Sequence, residues 1–217
     1  MRWIQLTVLG MALVGPAHSE DIIDVLRRSQ QQRLEALKPV QDGERAQTVR
    51  ATFEKLFQAL KPAAEVELRV VSSGTYAETL HGRVIVANES LADLPEGERT
   101  FIIAHEIGHV VSGHWGQMGR VYQRWVPGEV TKEKTDPVAG LLGRDASGLA
   151  HRHEYAADAF ALQALAKLGW PPEVAFSAFL RQGMQHDTAT HPGTRKRVAS
   201  LRAAQAGAAP LDSEEAE

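Results

Sequence analysis

His105-Glu106-Ile107-Gly108-His109 constrains this chain more than any other stretch. It lies inside an apolar run, with Phe101-Ile102-Ile103-Ala104 before it and Val110-Val111 after it. Such a run predicts a buried helix. On a helix, positions i and i+4 are about 40° apart, so His105 and His109 point the same way. Burying imidazoles without partners is costly. Two of them in a segment so poor in other polar residues ask for a shared partner, and a single Zn²⁺ fits. Glu106, beside the first candidate ligand, can then act as general base toward water. A purely structural zinc site has no use for that carboxylate.

The third ligand separates the classes of zinc site. Downstream of His109 the chain reads Val110-Val111-Ser112-Gly113-His114. In the longer HExxHxxGxxH pattern the glycine and the third histidine each stand one position away from this. On a continued helix His114 is about 140° from His109 and faces away. His114 is therefore read as a polar residue near a helix end, not a ligand.

The better candidate is Glu154, in the alanine-rich stretch His153-Glu154-Tyr155-Ala156-Ala157-Asp158. Leu162, Leu165 and Leu168 follow, then Gly169-Trp170-Pro171-Pro172, a helix with a glycine stop and prolines beyond. Glu154 and Asp158 share one face. Glu154 can complete a His₂Glu shell with an open fourth position. Asp158, one turn on, can accept the outward N–H of a ligating histidine and fix its tautomer. His151 is the rival to Glu154, and His153, turned about 100° away, is a weaker one. Gly108, Ala156 and Ala157 are small enough to let the two helices approach closely.

These residues, followed by His191-Pro192-Gly193-Thr194-Arg195-Lys196-Arg197, resemble the HtpX and CAAX-prenyl-protease type of zinc metallopeptidase, peptidase family 48 of the metallo class. The resemblance covers residues 64–203. It rests on HExxH, a downstream ExxxD and an HP-x₄-R segment, in which Arg197 holds the last position. Where that family often has an Asn-Ala element, this chain reads Gly74-Thr75-Tyr76-Ala77-Glu78. The resemblance implies an α+β, mostly helical, zincin-like and gluzincin-like domain with a small β-sheet beside the HExxH helix. It also implies one zinc per chain and cleavage of unfolded or misassembled envelope proteins.

The expected chemistry is metal-assisted peptide hydrolysis by a zinc endopeptidase, with zinc on His105, His109 and Glu154 and Glu106 as general base. His191 is the candidate donor to the developing oxyanion. Pro192 biases it toward an extended conformation at a helix start. Two other readings of His191 stand beside this: a cap on the last helix, or a plug in the open zinc position. The strand at residues 83–87 is expected to pair its edge with an extended peptide. The competing reading is a non-catalytic, chaperone-like or assembly module with a structural or plugged zinc site. A zinc enzyme acting on a small molecule is a third.

The rest of the chain supports one domain. Its 217 residues are 43% hydrophobic with a net charge of −3, enough for a full core. No basic stripe points to nucleic acid. The absence of cysteine excludes disulfides, thiolate ligands and a lipoprotein anchor, and it fits an oxidising compartment. Met1-Arg2, an apolar run from Trp3 to Val14 and small residues at the −3 and −1 positions for cleavage after Ser19 read as a signal peptide over residues 1–19. The expected product is periplasmic or secreted and has no stable membrane anchor after cleavage.

A metallopeptidase domain is expected over residues 20–205. Two amphipathic helices occupy 20–62, at 21–38 and 44–61, and the catalytic core spans 64–203. Strands are expected at 65–71 and 83–87, and further helices at 172–182 and 193–204. Residues 127–148, rich in Gly, Pro, Lys and Asp, read as a long connection, either a lid over the cleft or a solvated loop. Residues 206–217 read as a disordered acidic tail.

Overall fold

The computed structural model describes residues 20–208, so the expected signal segment and all but the first residues of the expected tail lie outside the described residues. Helices α1 (Ile22–Ala36) and α2 (Glu44–Leu60) form where the apolar periodicity places them. Asp21 caps α1 by accepting from the backbone N–H of Ile23 and Asp24 at 2.8 and 2.9 Å.

Three strands follow: β1 (Glu67–Val71), β2 (Ala77–Leu80) and β3 (Val84–Asn88). Their order is β1-β3-β2, with β1 parallel and β2 antiparallel to β3. Helices cover both sheet faces, which is why all of β3 is buried. Leu34 of α1 packs with Val71, Leu80, Val84 and Val86 on one face. Val70, Ile85 and Ala87 join the main core on the other.

The strand expected at 83–87 is β3, but it lies in the middle of the sheet, paired on both sides, and has no edge to offer. The edges are β1 and β2, and the one packed against α3 is β2, whose Ala-Glu-Thr-Leu composition carries weak strand propensity. The hairpin closes through His81, Gly82 and Arg83, between the paired Leu80 and Val84; His81 and Gly82 are both left-handed at φ 54° and 66°, and Arg83 N–H donates back to the Leu80 carbonyl at 3.2 Å.

A short 3₁₀ turn (Glu89–Asp93) leads into α3 (Glu96–Val111), the helix that carries His105, Glu106 and His109. Glu96 and Glu98 lie in its first turn, at the positive end of the helix dipole. Its start is held from two sides. Arg99 Nε donates to Thr52 Oγ1 of α2 at 2.7 Å, and buried Glu98 pairs with Arg181 at 2.5 Å. The helix stops at Ser112 because Gly113 turns left-handed (φ 63°), and α4 (His114–Trp125) begins at once in a new direction. His114 is therefore not on a continuation of α3, and the expectation that it faces away from His109 fails.

Residues 127–148 are not a long loop. A four-residue helix α5 (Lys132–Thr135) interrupts the connection, and α6 (Ala139–Lys167) is already formed by Ala139. Gly140, Gly143 and Gly148 obscured its first turns in the sequence. Trp125 Nε1 of α4 donates to Asp145 of α6 at 2.9 Å, tying this part of α6 to α4. α7 (Glu173–Gln182) and α8 (Thr194–Ala208) complete the chain, so α8 runs slightly beyond its expected end. The result is a mostly helical α+β fold with a small sheet beside α3. No helix among the described residues is long and apolar enough to cross a membrane.

Candidate metal centre

α3 and α6 cross where side chains are smallest. A Cβ built on Gly108 would lie 3.2 Å from the Ala157 Cα and the Phe160 Cβ. That close approach brings the second carboxylate-bearing helix against the histidines. His105 Nε2 and His109 Nε2 lie 3.0 Å apart. Glu154 Oε2 is 3.5 Å from the first, and Oε1 is 3.3 Å from the second.

Zinc ligands at about 2.0–2.1 Å in tetrahedral geometry stand roughly 3.3 Å from one another, so these separations fit one ion. Among the described residues, His105, His109 and Glu154 form the metal-competent group. The Glu154 Oε2 atom is buried without a well-formed hydrogen bond and faces Arg197 Nη1 at 3.2 Å and His105 Nε2 at 3.5 Å. His151 lies elsewhere; its Nε2 bonds the Thr188 carbonyl at 2.8 Å. His153 is buried but turned away from the group.

The three candidate ligands are held from behind. His105 Nδ1 donates to Asp158 Oδ1 at 2.9 Å, which leaves Nε2 free for the metal. Arg197 of α8 grips the same carboxylate through Nε to Oδ2 at 2.8 Å and Nη2 to Oδ1 at 2.5 Å, and its Nη1 lies 3.2 Å from Glu154 Oε2. Its guanidinium also lies over the Phe179 ring, 4.7 Å from the centroid. Burial opposes ionisation of Glu154, but His105, the bond to His109 and Arg197 hold its carboxyl well below the usual range. Asp158 is likewise held down against burial by Arg197 and His105.

His109 has a support that the sequence reading missed. Its Nδ1 lies 2.9 Å from Nδ1 of His114. The His114 ring stacks on His153, 3.9 Å between centroids and 8° from parallel, and His153 Nε2 bonds Gln117 at 3.2 Å. Burial, then the neighbouring His153 and His109, push the His114 imidazole down to about 3. Burial, then His109 and Arg152, push His153 down to about 4. Both rings are therefore neutral near pH 7.

Glu106 stands beside the ligands, and Thr79 Oγ1 of β2 donates to its Oε2 at 2.6 Å. His191 sits on the segment between α7 and α8. Its side chain is 60% exposed and its Nε2 is 3.7 Å from Glu154 Oε1. It does not join the group of ligand atoms that lie within 4.8 Å of one another, so it is not a fourth ligand in this conformation. Nor does its ring cap α8, which begins three residues later at Thr194: its Nδ1 bonds Thr190 Oγ1 at 2.8 Å, and its backbone N–H donates to Thr188 Oγ1 at 3.0 Å.

The site opens into two cavities, of about 610 and 540 Å³, which share Thr75, Ala77, His105, Glu106, Glu154 and His191. Together they make a cleft along the free edge of β2. No residue of the 127–148 segment lines either cavity, so the lid reading of that segment has no support in the structure.

A helix-borne HExxH met by a glutamate from a second helix, beside a small sheet, defines a zincin-type metallopeptidase site. A sequence model described as Peptidase family M48 matches residues 40–205, and the chain belongs to that family, whose members are zinc-dependent metallopeptidases. The family resemblance read from the three motifs is thereby shown. The crystal structure of S. mikatae Ste24p is similar over 82% of this chain, with 19% identity and a TM-score of 0.47. The chain spans 56% of the length of that protein. No curated protein matches the chain.

Proposed function

We infer that the protein is an exported zinc endopeptidase that cleaves unfolded or misassembled polypeptides of the cell envelope. The observation that carries this reading is the placement of Glu106. It stands next to His105, outside the three ligand atoms and within the cleft they share. A site built only to bind metal has no need of that carboxylate.

His105, His109 and Glu154 would hold zinc, which supplies Lewis acidity to a water molecule and to a peptide carbonyl. Glu106 accepts the proton of the attacking water and returns it to the leaving amine. The free edge of β2 offers backbone groups to an extended peptide and fixes the scissile bond above the ligands, in place of the strand first expected to do so. Backbone pairing selects extended, unfolded chains over folded ones. His191 Nε2, at the mouth of the cleft, donates to the carbonyl oxygen as charge develops there. Export is supported by the signal-like residues 1–19.

The test is hydrolysis of unfolded casein by the zinc-loaded protein, together with metal analysis of two variants. The expected result is cleavage that a chelator abolishes and added zinc restores, with zinc lost in Glu154→Ala and retained in His151→Ala. A protein that holds zinc and cleaves no unfolded chain would instead support the non-catalytic assembly module.

A further inference from the structure

We propose that Thr79 is a positioning residue for the general base: its hydroxyl fixes the Glu106 carboxylate so that one oxygen is held and the other faces the cleft. The proposal rests on the peptidase reading of the same site. Three observations lead to it.

The first is the bond itself. An O–H···O⁻ contact of 2.6 Å is in the short range of charge-assisted hydrogen bonds. The threonine hydroxyl has one proton, and the Glu106 carboxylate takes it; the Glu106 carbonyl, at 3.2 Å, is the weaker neighbour. Oε2 is thus engaged, and no side chain or backbone N–H among the described residues bonds Oε1. A carboxylate free to rotate about its terminal torsion would present either oxygen, or neither, to the water.

The second is the register of the hairpin. Side chains alternate across a strand. Glu78 turns to Arg33 of α1, at 2.7 Å, and Leu80 packs with Leu34. Ala77 and Thr79 therefore face α3. Pairing of Thr79 with Ile85 of fully buried β3 fixes this position along the helix. A one-residue slip would turn Thr79 away and put Glu78, an anion, against Glu106.

The third is that β2 is also the edge on which the peptide is expected to lie. The strand that would align the substrate carries the group that aligns the base. Both reacting partners are then referenced to one rigid element, and small misplacements at such a site cost rate more than binding.

Thr79→Val keeps the shape and strand propensity and removes the hydroxyl; Thr79→Ser restores a hydroxyl. With casein-derived peptides and zinc-loaded protein, Thr79→Val is expected to lower kcat about 10- to 100-fold, the effect of one hydrogen bond to a charged group. KM and zinc content should stay within about twofold, and Thr79→Ser should recover most of kcat. Equal kcat in wild type and Thr79→Val overturns the proposal, as does a Thr79→Ser variant no better than Thr79→Val. A crystal structure of zinc-loaded Thr79→Val provides a readout without turnover. The Glu106 carboxylate is expected to rotate or to occupy more than one position. An unchanged, single position for it contradicts the proposal even if the wild type proves to have no peptidase activity, a result that by itself counts only against the peptidase reading.

Discussion

His114 Nδ1 lies 2.9 Å from His109 Nδ1, on the side of the His109 ring opposite the nitrogen that faces the metal site. With Nε2 committed to zinc, His109 must carry its proton on Nδ1 and donate it, so His114 accepts with its own proton on Nε2. With zinc bound, His114 would fix the tautomer of His109 as Asp158 would fix that of His105. His114→Phe keeps the stacking on His153 but has no acceptor. Zinc affinity should fall about 10- to 100-fold, measured by competition with a chromophoric chelator. Unchanged affinity would make the contact a packing feature.

Arg197 is the cation shared by the two buried carboxylates. Arg197→Met removes the charge while keeping much of the apolar stem, leaving Asp158 and Glu154 with only the neighbouring histidines in the metal-free protein. Breaking a buried pair of this kind typically costs about 3–5 kcal/mol. Denaturant unfolding should show a loss of that order without metal and a smaller one with zinc, which restores a positive charge beside Glu154. Arg197→Lys should recover only part of the loss, because an ammonium cannot reproduce the two-pronged grip on Asp158. Equal stability in all three proteins would remove Arg197 from this role.

His191 lies near Glu154 but outside the ligand group, which favours a role toward substrate over one toward metal. His191→Ala is expected to lower kcat about 10²-fold or more, as for a lost oxyanion donor, with zinc affinity unchanged. Higher activity together with weaker zinc binding would identify it as a plug. Both quantities within about twofold of wild type would make it a structural element of its loop.

The candidate ligand group was legible in the sequence because helical spacing alone decides which residues share a face. His105 with His109, and Glu154 with Asp158, are each local statements, and the family motifs placed the two helices together. What it did not carry depends on where the chain reverses. His114 reaches His109 only because Gly113 ends α3 and starts α4 in a new direction. Thr79 reaches Glu106 only through the register of a four-residue strand whose composition barely signals a strand. Arg197 was matched to a motif position, yet its hold on Asp158 and Glu154 follows from how α8 packs on α6. The early turns of α6 were hidden by glycines, whose low helix propensity is overridden by packing against α4.

The central claim is that the metal site is assembled for hydrolysis, and Glu106→Gln tests it most directly. The side chain is nearly isosteric and is not among the ligand atoms. The variant should therefore bind one zinc per chain and fold as the wild type does. Peptidase turnover on unfolded casein should fall by at least about 10²-fold, the lower end for general acid–base catalysis. A Glu106→Gln protein that keeps its zinc and cleaves casein at the wild-type rate would contradict the account.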